Sequence, residues 1–198
     1  MIEQELMLTW EQRKLGDVAL FNPACSLPES FEYVDLESVV GTEMINHRRE
    51  ERATAPSRAQ RLAKDGDIFY QMVRPYQKNN YLFKLPDEDY VFSTGYAQMR
   101  SLIDCEFLFS ALQRDSFVVE VLDHCTGTGY PAINAKDLAE IPTCVPVEIA
   151  EQSQIGAFFS RLDNLITLHQ CKQTNSLLTL IAALKPIKTI LSFLNLSK

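Results

Sequence analysis

The 198-residue chain has no apolar run close to the roughly 20 residues that a bilayer-spanning helix needs. Charges interrupt every hydrophobic stretch well before that length, and the acidic start with Glu3 and Glu5 lacks the basic flank of a signal peptide. A soluble, cytoplasmic protein without membrane contact is expected. Cysteine is sparse: Cys25, Cys105, Cys125, Cys144 and Cys171 are odd in number and form no Cys-x-x-Cys, which argues against a disulfide framework and a zinc ribbon. His124 adjoins Cys125, but His47 and His169 lie in unrelated segments, so no metal site is expected. There is no Gly-x-Gly-x-x-Gly and no Walker loop. No lysine follows Asp or Glu at two residues, the spacing used by nuclease metal sites of the Glu-x-Lys type. Asn22-Pro23-Ala24 stops short of an Asn-Pro-Pro-aromatic motif and reads as a turn. Together these absences predict a chain that performs no chemistry and holds no cofactor of its own.

What is present is an ordinary globular composition, 46% hydrophobic, 23% charged and 10% aromatic, which suits one domain plus an appendage at this length. The net charge of -7 opposes a general attraction to polyanions. Local charge differs: between Asn46 and Lys64, Arg48, Arg49, Arg52, Arg58, Arg61 and Lys64 are opposed in sequence only by Glu50 and Glu51. An acidic protein with one basic face satisfies both observations.

Trp10 to Leu20 reads as a short opening helix or turn with Trp10, Leu15 and Val18 directed inward. Tyr33 to Glu37 alternates apolar and polar residues as a half-buried strand does. From Gly41 to Lys64 periodicity disappears, which predicts a long polar loop. Lys64-Asp65-Gly66-Asp67 is a turn signal, and Ile68 to Val73 is a β-rich run that stops at Arg74-Pro75. Tyr81 to Leu85 supplies a partner strand, leaving residues 74 to 80 as a basic, aromatic, amide-rich connection. Tyr90 to Phe92 and Tyr96 to Leu102 add strands on either side of Ser93-Thr94-Gly95. Phe107, Leu108, Ala111, Leu112, Val118, Val121 and Leu122 recur at three-to-four spacing, so one or two helices pack on the sheet. A loop over Thr126 to Tyr130 follows, then a short helix at Ala135 to Glu140 capped by Asn134, and a last strand around Ile141 to Val145.

Beyond Pro146, Ile155, Phe159, Leu162, Ile166, Leu177, Leu180 and Leu184 follow alternating steps of three and four, broken by a polar interlude at His169, Gln173 and Ser176. A helix from Glu148 to Lys185 extends about 57 Å, whereas a domain of this size is about 30 to 35 Å across. An apolar stripe on such a rod needs a covering helix, and a second copy of the chain supplies one; two shorter helices folded back on the domain are the alternative. The predicted fold is α+β: a mixed or antiparallel sheet with packed helices over residues 1–147, a long coiled-coil-type helix over 148–185, and a tail over 186–198.

Trp10-Glu11-Gln12-Arg13-Lys14-Leu15-Gly16-Asp17, Gly66-Asp67-Ile68, Val73-Arg74-Pro75-Tyr76, Ser93-Thr94-Gly95 and Gly127 to Leu138 resemble the specificity subunit of type I restriction-modification systems, over nearly all of the chain to about Lys185. Members of that family carry two target-recognition domains, each followed by a spacer helix, whereas this sequence carries one such unit. The tail from Pro186 to Leu194 departs from the family, as a truncated or recombined gene would. The resemblance implies a DNA-binding chain that reads one half of a bipartite site. Partner modification subunits then methylate adenine with S-adenosylmethionine, and a restriction subunit cuts. Within that reading, Arg74, Gln77, Lys78, Asn79 and Asn80 are base-reading candidates by donor and acceptor type, and Tyr76 in the same connection is a further DNA-binding candidate. Arg48, Arg49, Arg58 and Arg61 suit phosphates, and Thr126, Thr128 and Tyr130 add hydroxyl contacts. For each of these the plainer reading is solvated surface, and for Gly127, Gly129 and Pro131 it is backbone shape. Other classes stay open: a helical adaptor that binds protein explains the coil but not the basic segment, and an independent DNA-modifying enzyme lacks a catalytic constellation.

Pairing of two copies through the long helix makes that helix a ruler between inverted half-sites. Deleting one heptad removes about 10 Å, roughly 3 base pairs, so the unspecified spacer in a methylation map contracts by that order. Unchanged spacing rules the ruler out.

Overall fold

A computed structural model describes residues 10–87, 89–127, 129–169 and 172. Thr128, Leu177, Leu180, Leu184 and the 186–198 tail lie outside them. In chain order the elements are β1 (Trp10–Lys14), α1 (Leu15–Val18), β2 (Ala19–Phe21), β3 (Ser30–Val34), β4 (Val39–Val40), β5 (Glu43–Met44), β6 (Arg48–Glu51) and β7 (Ala59–Leu62). There follow β8 (Asp67–Gln71), β9 (Tyr81–Leu82), β10 (Tyr90–Ser93), β11 (Tyr96–Ser101), α2 (Cys105–Leu112), α3 (Asp115–Asp123), α4 (Ala135–Glu140) and β12 (Pro142–Pro146). A final helix, α5, is continuous from 149 to 169.

Two four-stranded sheets form the body. One, ordered β2-β11-β8-β9, is antiparallel; the other, β6-β3-β10-β7, is mixed because β10 runs parallel to β3. Side chains alternate along β8 and send opposite faces into different cores. Ile68 and Tyr70 join Leu15, Val18, Leu108, Leu112, Val121 and Leu138 under the helices, while Phe69 joins Val34, Phe83, Phe92 and Tyr96 between the sheets. Phe69 and Phe92 stack nearly parallel, with centroids 3.6 Å apart. The outer face of the mixed sheet is covered by a third cluster around Phe31, Tyr33, Ala59 and Val91. Burial on both faces is why β8 reads as a nearly continuous apolar run from Ile68 to Tyr70.

The buried carboxylate of Asp67 ties these layers together. It accepts both Nε and Nη2 of Arg100 at 2.9 Å, Nε2 of Gln98 at 2.7 Å and the backbone N–H of Lys64 at 3.0 Å. The same Gln98 amide donates to the carbonyl of Leu62, so β8, β11 and the end of β7 share one polar node.

The helical segments expected between Asp104 and Leu122 are α2 and α3. The side chains of Asp104 and Asn134 cap α2 and α4 by accepting from the N–H groups of Phe107 and Asp137. The first turns of α5 dock on the start of α2. Gln152 accepts from the N–H of Asp104 and donates to the carbonyl of Pro146, and Ser153 donates to the Asp104 carboxylate. Gly156 allows the close approach, since a Cβ there would lie 2.6 Å from the Phe107 nitrogen. Trp10 donates to Glu151 and packs edge-on against Phe107. By its contacts the globular unit extends to Ala157, so the start of α5 belongs with it.

Three expectations need correction. Trp10 to Leu20 is strand, helical turn and strand, because β1 pairs with the distant β12. The strand expected at Tyr33 to Glu37 lies at Ser30–Val34 instead. It ends where the Asp35 side chain accepts from the N–H of Glu37 and the Asp35 carbonyl from the N–H of Ser38. The expected loop over Gly41 to Lys64 contains β5, β6 and β7; β6 and β7 are edge strands of the mixed sheet, half-exposed and too short to show a period.

Removing the Asp67 side chain leaves Arg100 without its paired acceptor and the Gln98 amide with only the Leu62 carbonyl. Asp67→Ala is expected to lower the unfolding free energy in a urea titration by roughly 3 to 5 kcal/mol. A loss below about 1 kcal/mol means the carboxylate does not hold the layers together.

Candidate nucleic-acid interface

Four connections that are separate in sequence meet at one end of the sheets. As the chain leaves β8, the N–H of Met72 donates to the Gly95 carbonyl at 3.0 Å, and the N–H of Ile133 donates to the Met72 carbonyl at 3.0 Å. The N–H of Arg74 then donates to the Pro131 carbonyl at 2.8 Å, while Thr126 and Ala132 close the 126–132 turn with a pair of backbone bonds. On the other side of Gly95, the N–H of Thr94 donates to the Arg58 carbonyl at 2.8 Å. Arg58, the 93–95 turn, the 72–76 segment and the 126–133 turn therefore share one hydrogen-bonded rim.

The 74–80 connection is built around two residues in the left-handed region, Arg74 at φ 55° and Lys78 at φ 53°, flanking one turn of 3-10 helix at Pro75–Gln77. Non-glycine residues there carry strain, commonly about 1 to 3 kcal/mol, that surrounding contacts must hold. Pro75 is buried, whereas Tyr76 and Gln77 face outward. The Arg74 guanidinium sits over the Tyr130 ring, 4.4 Å from its centroid, and Tyr130 is 68% exposed. Gly127 adopts φ +87°, and a Cβ there would also press on the Tyr130 carbonyl at 3.1 Å.

The second half of the connection faces inward. Asn80 is 1% exposed, accepts from the N–H of Gln71 and donates to Gln113 at the end of α2. A buried buttress of this kind offers no edge to a base, which corrects its place among the base readers. Lys78 donates to the Gln113 carbonyl and to the Asp115 carboxylate, which neutralises it at the start of α3. Asn79 accepts from the N–H of Gly41 and tethers the β4–β5 hairpin, and Gln77 accepts from the Gln71 side chain. Gln71, Gln113 and Asp115, which sequence reasoning did not single out, are thus what positions the loop. Gln113 and Asp115 gave no signal beyond helix-end polarity.

Nor does the basic segment form one cationic face. Arg48 pairs with Asp35 and Glu50 at 2.8 Å each, Arg49 with Asp89 at 2.6 Å and Glu32 at 3.3 Å, and Arg52 with Glu29 at 2.6 Å. Strand pairing brings up carboxylates from β3 and from the approach to β10 that sequence order hides. Burial alone pushes the Asp35 carboxyl up, but hydrogen bonds from Arg48, Ser38 and the N–H of Glu37 outweigh it and hold it below the usual carboxylate range. A phosphate approaching Arg48 or Arg49 competes with these carboxylates. Arg58, Arg61 and Lys64 make no ion pair among the described residues. Arg61 leaves its Nε buried without a partner beside a cleft lined by Asn22, Pro23, Ala24, Cys25, Leu27 and Gln60, and burial lowers its pKa.

On α5, Ile155 packs against the helix-side core of the globular unit, which corrects its place among the helix-pairing positions. Phe159, Leu162 and Ile166 are exposed, as are Phe158, Leu165 and Leu168. Among the described residues no group of three or more His, Cys, Asp or Glu side chains is arranged to hold a metal. No described helix is long and apolar enough to cross a membrane.

The family model for the type I restriction modification DNA specificity domain matches residues 7–179. No curated protein matches the chain significantly. Among solved structures, the HsdS subunit from Thermoanaerobacter tengcongensis is similar at TM-score 0.68 and 26% identity, over 85% of this chain and 45% of that one. A chain from a structure described as the basis of complex assembly and conformational transition of the type I R-M system is similar at TM-score 0.68 and 26% identity, over 84% of this chain and 46% of that one. The chain thus spans a little under half the length of these relatives.

The contact between Lys78 and Asp115 gives the loop a pH signature. The hydrogen bond and charge of Lys78 hold the Asp115 carboxyl below its ordinary value. Because the folded pKa is the depressed one, the tie is complete above the unfolded pKa and is lost as pH falls through the folded one. A carboxyl NMR titration of the full chain is expected to give Asp115 a midpoint below that of a free aspartate, and Lys78→Met to restore it. An Asp115 midpoint unchanged by Lys78→Met shows that the tie does not form.

Proposed function

The chain belongs to the type I restriction-modification DNA specificity family, and from that premise we propose that it is a DNA-reading unit for one half of a bipartite duplex site. It performs no chemistry itself. Modification subunits methylate adenine with S-adenosylmethionine, which they and not this chain bind, and a restriction subunit cuts. A second copy, joined through the α5 face that carries Phe159, Leu162 and Ile166, supplies the other half-site.

The observation that carries this reading is the rim on which Arg58, Arg74, Tyr76, Thr126 and Tyr130 come together from separate connections. Base readers must be rigidly held yet exposed, and a strained loop braced by buried amides meets both demands. Arg58 and Arg61 suit phosphates, because no carboxylate among the described residues neutralises them. The family's relatives are about twice as long, and pairing two single-unit chains restores two recognition units.

Co-expression of the full chain with a modification subunit, followed by mapping of methylated adenines, is expected to yield a motif of inverted half-sites. Binding of the complex to that motif weakens linearly in log salt, with a slope of about -0.9 per phosphate contacted. Arg61→Ala is expected to make that slope shallower by about 1 while leaving the motif unchanged. Salt-independent binding to protein partners with no DNA preference would instead favour the helical adaptor.

A further inference from the structure

We infer that Arg74, held over the ring of Tyr130, reads a guanine within the half-site. This rests on the DNA-reading function proposed above and adds the identity of a base.

Among the cations of the described residues, Lys78 is already neutralised by Asp115, Arg48 and Arg49 on β6 by Asp35, Glu50, Asp89 and Glu32, and Arg52 just after β6 by Glu29. Among the described residues Arg74 has no carboxylate partner, and its contact is with the Tyr130 ring. Its backbone is fixed twice, by the left-handed φ of 55° and by the 2.8 Å bond from its N–H to the Pro131 carbonyl. Its side chain is held a third time by the Tyr130 ring, whose centroid is 4.4 Å from the guanidinium carbon. A cation–π contact of this kind uses the charge of the guanidinium and no N–H donor has to be spent on an acceptor.

A guanidinium has donors only. Guanine presents two adjacent acceptors in the major groove, N7 and O6, which match a pair of parallel N–H groups. Adenine presents N7 beside an amino donor, so the second N–H of Arg74 meets another donor and the fit is lost. Pre-stacking on Tyr130 removes rotamer freedom before DNA arrives, which sharpens the discrimination rather than merely adding charge. Had a carboxylate held Arg74, as one holds Lys78, the same residue would be structural. Exposure of Tyr76 and Gln77 beside it leaves room for neighbouring base pairs to be read by other donors.

The test uses the full chain with its modification subunit and a pool of random duplexes from which bound sequences are selected. The wild type is expected to select a motif in which replacing one guanine by 7-deazaguanine, which lacks the N7 acceptor, weakens binding. Arg74→Ala is expected to lose roughly 5- to 150-fold of its preference at that pair alone, with the other positions intact. It is also expected to be indifferent to 7-deazaguanine there. Arg74→Lys keeps the charge but not the paired donors and is expected to relax the same position, while Tyr130→Phe keeps the ring and the preference. Unchanged selection by Arg74→Ala, or wild-type binding that tolerates 7-deazaguanine at every guanine, overturns the assignment while leaving DNA recognition standing. A wild-type complex that selects no motif at all overturns both. The 7-deazaguanine arm needs no variant, so a folding defect in Arg74→Ala does not decide the outcome.

Discussion

A buried carboxylate with four donors is the constraint around which this molecule is built. Asp67 sits at the start of β8, where a charge removed from water is tolerable only if its oxygens are fully occupied. Arg100 and Gln98 on β11 and the Lys64 N–H in the turn before β8 occupy them. Because Gln98 also holds the Leu62 carbonyl, the separation of the two sheets is set here by polar geometry and not by apolar packing alone. An apolar cluster of Phe69, Phe83, Phe92 and Tyr96 tolerates small slips, whereas a bidentate guanidinium pair does not. The node therefore fixes the register of β8, and β8 leads directly into Arg74.

Rigidity at one end of β8 becomes precision at the other. Two left-handed residues in a short loop would relax if the loop were free, yet the chain surrounds them with contacts that hold the strain. Asn80 and Gln71 lock the inner side, Lys78 is clamped by Asp115 and the Gln113 carbonyl, and Pro131 and Tyr130 receive Arg74 on the outer side. Polar residues of a single loop are thus divided between holding and presenting. Residue type alone does not reveal that division, because Asn79, Asn80 and Gln77 look equally suited to a base edge.

Legibility followed burial and locality. Ile68 to Val73 was readable as a strand because both of its faces are apolar, and α2, α3 and α4 were readable from three-to-four spacing and from the Asn134 cap. What failed depended on partners remote in sequence. Trp10 to Lys14 is a strand only because Pro142 to Pro146 lies beside it, and the short edge strands β6 and β7 keep polar residues on open faces. The arginine cluster misled for the same reason: Glu32, Asp35 and Asp89 reach Arg48 and Arg49 through the sheet, so counting charges along the chain overstated the free positive charge. The two loops of the candidate site were each visible, but their junction through Arg74 and Pro131 was not.

Internal neutralisation bears on how an acidic chain can recognise a polyanion at all. With a net charge of -7 and three of its arginines held by carboxylates on one edge, the chain lacks the broad positive field that supports sequence-independent binding. Under the proposed function its own contribution then lies in a few oriented donors, with Arg58 and Arg74 on the rim left without carboxylate partners among the described residues. Such an arrangement gives up general affinity and retains discrimination, because a misplaced base leaves a fixed donor unmatched whereas a weak field rewards no sequence. Under the same proposal, general affinity has to come from outside this chain. A specificity chain of this charge is better suited to choosing where a complex stops than to holding it on DNA.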